Sequence, residues 1–270
     1  MIMMDHLRLY GRYVGVSIRG QMQYRASFVM MSLGNFLGTA IEFVGLWVLF
    51  DRFGQLEHWS LAEVAFFYGL INVAFALAEA TGRGFDTFPN MVRSGDFDRL
   101  LLRPRSTAFQ IAAAHLQLMR IGRLAQGLIV LLWAGRVLDV VWTWPRIGLT
   151  VGAILGGAAL FYGLFVLQAT LSFWTIESLE IMNTVTYGGC ETAQFPLTIY
   201  RPWFRRFFTF VVPLACVSYF PALAILDRTD PAMAVAEWIQ YTAPAVGVLF
   251  LAVSLQVWRF GVRHYASTGS

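Results

Sequence analysis

Five stretches of this chain, near Phe28 to Phe50, Leu61 to Thr81, Ile111 to Ala134, Ile147 to Trp174 and Tyr241 to Phe260, are almost free of charge over about 20 residues or more. About 20 apolar residues of helix cross the roughly 30 Å of bilayer hydrocarbon, and in lipid every backbone polar group must be satisfied within the segment. A chain with five such stretches folds as a bundle of membrane-spanning helices. Its composition agrees: 57% of residues are hydrophobic, 13% are charged, and the mean hydropathy is +0.59, against about a quarter charged in soluble domains. A sixth apolar stretch, Phe207 to Leu226, is interrupted by Pro213 and Pro221 and predicts a broken or re-entrant element. Ile176 to Tyr200 is compatible with helix but carries Glu177, Glu180, Asn183 and Glu191.

The amino-terminal segment interleaves Arg8, Arg12, Arg19 and Arg25 with Leu7, Leu9, Tyr10, Tyr13, Val14, Val16, Ile18 and Met22. Residues 1–27 therefore suit a helix lying at the membrane surface, or else a solvated tail, and they lack the compact apolar core of a cleaved signal. Arginine placement orients the bundle. Eleven arginines fall in the amino-terminal tail, the 83–105 loop and the carboxyl end, against four in the connections 51–60, 135–146 and 227–240. Both termini and the 83–105 loop are thus expected in the cytoplasm. The nine tryptophans fall near span ends, where amphipathic rings anchor at the interface.

The absences exclude whole classes of chemistry. All 20 cationic residues are arginine, so there is no P-loop lysine, no Schiff base and no lysine base. No zinc-protease, nucleophile-elbow or nucleotide-binding motif occurs, and no catalytic, cofactor or metal residue is expected. Cys190 and Cys216 are far apart, and the four histidines are scattered. A net charge of +4 spread in small groups gives no nucleic-acid face.

Three constellations stand out. The first is the 83–105 loop, in which Ser94 or Gly95 can cap a short helix, with Asp96 and Asp98 at its positive end, Arg99 and Arg103 at its negative end, and Pro104 to stop it. Phe97, Leu100 and Leu101 are poorly placed facing water, so this helix either rests on headgroups or meets another protein. The second comprises intramembrane charges: Glu42 and Glu79 on the first two spans, with Arg120 and Arg123 on the third, sharing a face with His115 and Gln117. They form either a cavity wall or an internal ion pair between the arginines and Glu42 or Glu79. The third is the 196–226 region, where Pro196, Tyr200, Arg201, Arg205, Pro213 and Pro221 mark short helical pieces at one membrane face, the form of a gate. Gly34/Gly38 and Gly152/Gly156 are close-approach pairs that serve either intrachain packing or dimerisation.

The amino-terminal surface helix, the Ser94-Gly95-Asp96-Phe97-Asp98-Arg99-Leu100-Leu101-Leu102-Arg103-Pro104 loop, the Tyr200-Arg201-Pro202-Trp203-Phe204-Arg205 stretch running to Pro213 and Pro221, and the basic carboxyl end together resemble the permease subunits of the ABC transporter type-2 family, found in bacterial exporters. The resemblance implies an all-α integral membrane protein, one permease domain over residues 1–270. It would have six transmembrane helices, an amino-terminal interfacial helix, a cytoplasmic coupling helix within 83–105 and short gate helices before the last span. It implies a multi-pass protein of the bacterial plasma membrane. Phe88, Met91, Asp96, Phe97, Asp98, Arg99, Leu100, Leu101 and Arg103 would dock on a separate P-loop ATPase that holds ATP and Mg. A second permease, identical or related, would complete the unit, exporting a hydrophobic or amphipathic substrate. On this basis the fifth span begins near Ile176 and the gate is extracytoplasmic; a rival arrangement keeps 174–206 in the cytoplasm and makes 207–226 the fifth span. Changing Phe97, Leu100 and Leu101 to serine is then expected to spare insertion and uncouple the ATPase. An ion-coupled secondary transporter and a membrane assembly protein remain as other classes.

Overall fold

The computed structural model describes residues 2–175, 179–229, 233 and 235–265, and among them the chain is helical, with one isolated bridge between Leu56 and Trp59. Helix α1 (Ile2–Met22) ends at a turn through Gln23 and Tyr24, and α2 (Arg25–Phe53) follows. A short connection leads to α3 (Leu61–Asp86), opened by a capping box in which Ser60 and Glu63 satisfy each other's backbone N–H. Two short helices, α4 (Phe88–Arg93) and α5 (Asp96–Leu101), precede α6 (Thr107–Ala114). A 3-10 turn at Leu118–Arg120 leads into α7 (Ile121–Val137), then α8 (Trp144–Leu171) and α9 (Leu179–Ala193). The remaining pieces are α10 (Pro202–Arg206), continued as a π turn over Phe207–Val211, then α11 (Leu214–Val217), α12 (Tyr219–Ile225), α13 (Glu237–Thr242) and α14 (Ala245–Arg263).

Helix α3 is the axis of the bundle: it packs on α7 and α8, and α8 packs in turn on α14. Its side chains are buried on every side, with Val64, Phe66, Phe67, Ile71 and Phe75 fully enclosed, because neighbours surround it rather than lipid. Glycine permits the closest crossings. A Cβ on Gly122 would collide with the backbone of Ser32 on α2, and one on Gly84 with Ile111 on α6. Gly156 meets the Pro244 carbonyl at the start of α14, so the Gly152/Gly156 pair serves packing within the chain. Gly34 and Gly38 have open space beside them. Helix α2 buries Thr39, Leu46 and Phe50, while Met30, Ile41 and Trp47 are exposed.

Five elements are long and apolar enough to span a bilayer: α2, α3 with α4, the 118–137 segment, α8 and α14. The two ends of the bundle are named below by residues of α3, the Trp59 end and the Asp86 end. The third expected span is not continuous. Residues 115–117 leave the helix, with His115 and Gln117 in extended conformations. Nothing in Ala114-His115-Leu116-Gln117 is a helix breaker; what holds the break are bonds from other helices. Gln117 N–H donates to Ala80 O at 2.9 Å, Gln21 Nε2 donates to Leu116 O at 2.6 Å, and Leu118 N–H donates to Gln21 Oε1 at 3.0 Å. The amide of Gln21 replaces the helical backbone partners that the break gives up.

The tryptophans divide by exposure. Trp47, Trp144, Trp174, Trp203 and Trp238 are exposed, whereas Trp258 and Trp59 are buried. Trp258 fills the junction of α3, α4, α5 and α14, against Phe85, Phe88 and Phe97. Trp59 stacks edge-on against Phe67.

Candidate functional site

A stripe of polar side chains runs down one face of α3, from Tyr68 and Asn72 through Glu79 to Arg83 and Asp86, spacings of three, four and seven residues that return to the same helix face. At its centre Glu79 is almost fully buried and holds two arginines. Arg120 Nη2 lies 3.2 Å from Oε1 and Arg123 Nη1 3.6 Å from Oε2. Each arginine also finds neutral partners. Arg123 Nε donates to Asn72 Oδ1 at 2.8 Å, Nη2 donates to Cys190 Sγ at 3.5 Å, and the guanidinium lies 4.6 Å from the centre of the Phe75 ring. Arg120 donates to Asn35 Oδ1 at 2.9 Å and to Gln117 Oε1 at 3.2 Å. Toward the Asp86 end, Arg83 pairs with Asp86, and Gln168 donates both to Asp86 Oδ1 at 3.1 Å and to Asn183 Oδ1 at 3.2 Å.

Of the four intramembrane charges, the structure brings Glu79, Arg120 and Arg123 together and leaves Glu42 exposed on α2, outside the ion pair. The common helical face expected for His115, Gln117, Arg120 and Arg123 does not form, because the break at 115–117 turns His115 outward while Gln117 stays on Arg120. The neutral partners Asn35, Asn72 and Gln168 escaped sequence reasoning, and Asn183 was noted there only as a polar residue of an ambiguous stretch. The recurrence of 68, 72, 79, 83 and 86 along one face was the signal available to find Asn72; the others are on different helices and carry no such signal.

Where Gln21 and the broken helix meet α4, a cleft of about 820 Å³ opens at the Asp86 end. Arg83, Asn90, Asp96, His115 and Gln117 are on its wall. Changing Gln21 to leucine removes the donor and the acceptor that hold the break. The expected result is faster amide exchange at Leu118 and a loss of about 1–3 kcal/mol; unchanged exchange there would show that the break needs no support from α1.

The 83–105 loop forms two helices rather than one. Gly95 has φ +74, the left-handed conformation that turns the chain between α4 and α5, and Ser94 Oγ donates to Asp96 Oδ2 at 2.7 Å. Two of the side chains expected to face outward are instead inside. Phe88 and Phe97 have no exposed surface and pack edge to face, with ring centres 5.0 Å apart. Phe173, Trp258 and Tyr265 complete their cage. Burial and the Asp98 carboxylate push the Tyr265 phenol above its ordinary pKa, so it stays neutral. Asp96, Arg99, Leu101 and Arg103 are exposed, as is Leu102 at 86%, while Met91, Asp98 and Leu100 are half-buried.

The proline-rich region also resolves geometrically. Trp59 Nε1 donates to Thr198 Oγ1 at 2.9 Å, so the segment leaves α9 at the Trp59 end. It returns to the same end. Arg146 at the start of α8 holds Asp227 at 2.6 Å, and Arg228 holds Glu63 at 2.6 Å. Between these anchors α10 and the π turn bend by 73° into α11 and α12. Val217 at the bottom of the excursion sits beside Gly157 and Gly247, and Leu214 beside Gly189. Gly157 lies more than three turns below the start of α8, so the segment dips about 20 Å into the bundle and comes back. The arrangement that makes 207–226 a simple span is thereby corrected, since its two ends are on one side. Pro196 precedes a 3-10 turn, Pro202 opens α10, Pro213 separates the π turn from α11, and Pro221 lies in the first turn of α12, where its missing N–H costs nothing. Tyr200 is half-buried, its hydroxyl donating to Thr192 O at 3.2 Å, Arg205 is half-buried and Arg201 is exposed. The expected start of the fifth span near Ile176 lies outside the described residues; α9 is described from Leu179.

Five apolar helices of spanning length, a segment that dips between them and returns, and an ion cluster sealed among them make this a multi-pass helical membrane protein. Residues 36–269 match the family of ABC-2 transporter proteins, and the chain belongs to that family. It is accordingly a permease subunit, a membrane component of transport. No curated protein and no solved structure matches it.

Proposed function

We propose that the chain is the membrane subunit of an ATP-driven exporter, in which a separate P-loop ATPase binds ATP and Mg and pushes on α4 and α5. The observation that carries this reading is the build of that pair. Phe88 and Phe97 pin it rigidly to the ends of α3 and α14, while Leu101, Leu102, Arg99 and Arg103 face outward as a docking surface of mixed apolar and basic character. A movement imposed on a pad fixed in this way is transmitted to the spanning helices instead of being absorbed in a loop. The Asp86 end is then cytoplasmic, with both termini, in a bacterial inner membrane, which agrees with the arginine distribution. The segment 196–228 is the extracytoplasmic gate.

The unit would be one permease domain working with a second, identical or related permease and two ATPases. The cleft beside Gln21, Arg83 and His115 is the vestibule on the cytoplasmic side, at the foot of the α3 polar stripe. A substrate following that stripe meets amide and charged groups set among aromatic walls, which suits an amphipathic molecule. Exchange of partners around Glu79, Arg120 and Arg123 is the element that would differ between the closed and open states.

Mild-detergent purification of the tagged chain with mass spectrometry of what accompanies it is the first test. A P-loop ATPase in comparable amount is expected, and a chain that emerges alone after crosslinking in the intact membrane overturns the reading. The paired change Leu101→Ser and Leu102→Ser tests the pad itself. It should leave yield and unfolding temperature unchanged and reduce transport-linked ATP hydrolysis by about tenfold, since loss of two apolar anchors removes about 1–3 kcal/mol of docking; full coupling in that variant excludes this surface.

A further inference from the structure

A second cavity lies on the outer flank of the bundle, unconnected with the charge cluster. It is a trench of about 510 Å³ between α6 and α14. Its floor is aromatic and rigid: Phe85 and Trp258 are buried, their rings 5.4 Å apart, and Trp258 Nε1 donates to Thr107 Oγ1 at 3.1 Å, tying the two walls together. The walls are apolar, with Ala108 and Ala112 on α6 facing Leu251 and Leu255 on α14. Phe109 of α6 and Tyr162 of α8 also line the trench.

The mouth has different chemistry. Arg259 and Arg263, both exposed, stand over it with Ser106 at the start of α6, and no acidic residue is among the lining. The positive end of the α6 dipole points the same way. From Leu251 to Arg263 the α14 wall is about 18 Å long at helical rise, close to the half-thickness of a bilayer's roughly 30 Å hydrocarbon layer. The trench starts at the Asp86 end, where Phe85 lies, and runs toward the middle of the bundle.

An apolar slot one leaflet deep, closed at the headgroup level by two arginines, fits one class of ligand. We propose that this trench is a binding site for an anionic phospholipid of the leaflet at the Asp86 end, an acyl chain lying between α6 and α14 and the phosphodiester held by Arg259 and Arg263. Guanidinium groups pair with phosphate oxygens in bidentate fashion, and they pair best beside hydrocarbon that excludes water. A zwitterionic headgroup offers the same phosphate but adds an ammonium that two arginines repel, so the site discriminates by net charge. The lipid would cement α6 to α14 beside the α4–α5 pair. This inference needs the chain to span a membrane but does not rest on the docking or export reading.

The test uses the full chain reconstituted in nanodiscs of phosphatidylcholine and phosphatidylglycerol in equal parts, then returned to mild detergent, with the retained lipid identified by mass spectrometry. Wild type is expected to keep phosphatidylglycerol in near-stoichiometric amount and little phosphatidylcholine. Arg259→Gln with Arg263→Gln should lower retained phosphatidylglycerol by about tenfold, the loss of one to two charge-assisted contacts. Ala112→Trp, which fills the slot and spares both arginines, should lower it as well. Arg12→Gln with Arg19→Gln, an exposed pair on α1, should not. Equal retention of the two lipids by wild type overturns the proposal without any variant, and so does undiminished phosphatidylglycerol in the folded double arginine variant.

Discussion

Replacing Glu79 with leucine is expected to cost about 3–5 kcal/mol and to strip the chain from the membrane fraction, because it strands two guanidinium groups inside the bundle. Glu79 is the only carboxylate within ion-pair distance of Arg120 and Arg123 among the described residues, and its side chain is 4% exposed. The pair need not be a source of net stability. Taking three charges out of water or lipid headgroups is expensive, and their attraction roughly offsets that cost. A second change therefore separates balance from identity. Arg123→Leu in the Glu79→Leu background removes the more deeply buried of the two cations and leaves Arg120 with Asn35 and Gln117. That double variant should recover most of the lost abundance and unfolding temperature. If it does so and still fails to transport, the cluster's purpose is to change partners and not to hold the bundle. A single Glu79→Leu variant that unfolds at the wild-type temperature would contradict the buried placement itself.

The second large effect is expected at Phe97. Truncation to alanine empties the cage formed by Phe88, Phe173, Trp258 and Tyr265, and deletion of a buried aromatic ring costs about 3–5 kcal/mol. The measurement is the unfolding temperature of the detergent-solubilised protein, set beside that of Leu102→Ser, which removes an exposed side chain and should change nothing. Serine at Phe97, expected from sequence to spare insertion and affect coupling alone, should instead loosen α5 from α3 and α14. Stability equal to wild type for Phe97→Ala would place that ring outside the core.

These two residues show how far the sequence could be followed. Spanning helices were legible because a run of about twenty apolar residues satisfies its backbone in lipid by forming a helix, and the prolines of 196–226 pointed to a broken or re-entrant element while a fifth span over 207–226 stayed open as the rival arrangement. The clustering of arginines at three places was legible for the same reason, since each charge has its own local cost. Of the two helices in 88–101 only the second was legible: Ser94 or Gly95 was a candidate cap and Asp96 and Asp98 marked its start, while the separate helix Phe88–Arg93 and the end at Leu101 were not read. What could not be read is which way an amphipathic side chain points when both lipid and a neighbouring helix would accept it. Phe97 and Leu102 are alike in composition and opposite in burial, 0% and 86%.

The amino-acid sequence by itself determined that this chain crosses a membrane several times, that it carries a proline-rich, interrupted apolar segment, and that it has an arginine-bearing loop between two of its apolar stretches. Those properties follow from local free energies of transfer and backbone geometry. Only the tertiary structure decided that Glu79 and not Glu42 meets the arginines, that a helix without a breaker opens at 115–117, and that 196–228 begins and ends on one side. Each of those outcomes depends on a bond across the chain, from Gln21 to Leu116 and Leu118, from Trp59 to Thr198, from Arg146 to Asp227. Such bonds are worth little to either segment alone and become decisive only once the packing of α3, α7 and α8 has brought the partners together.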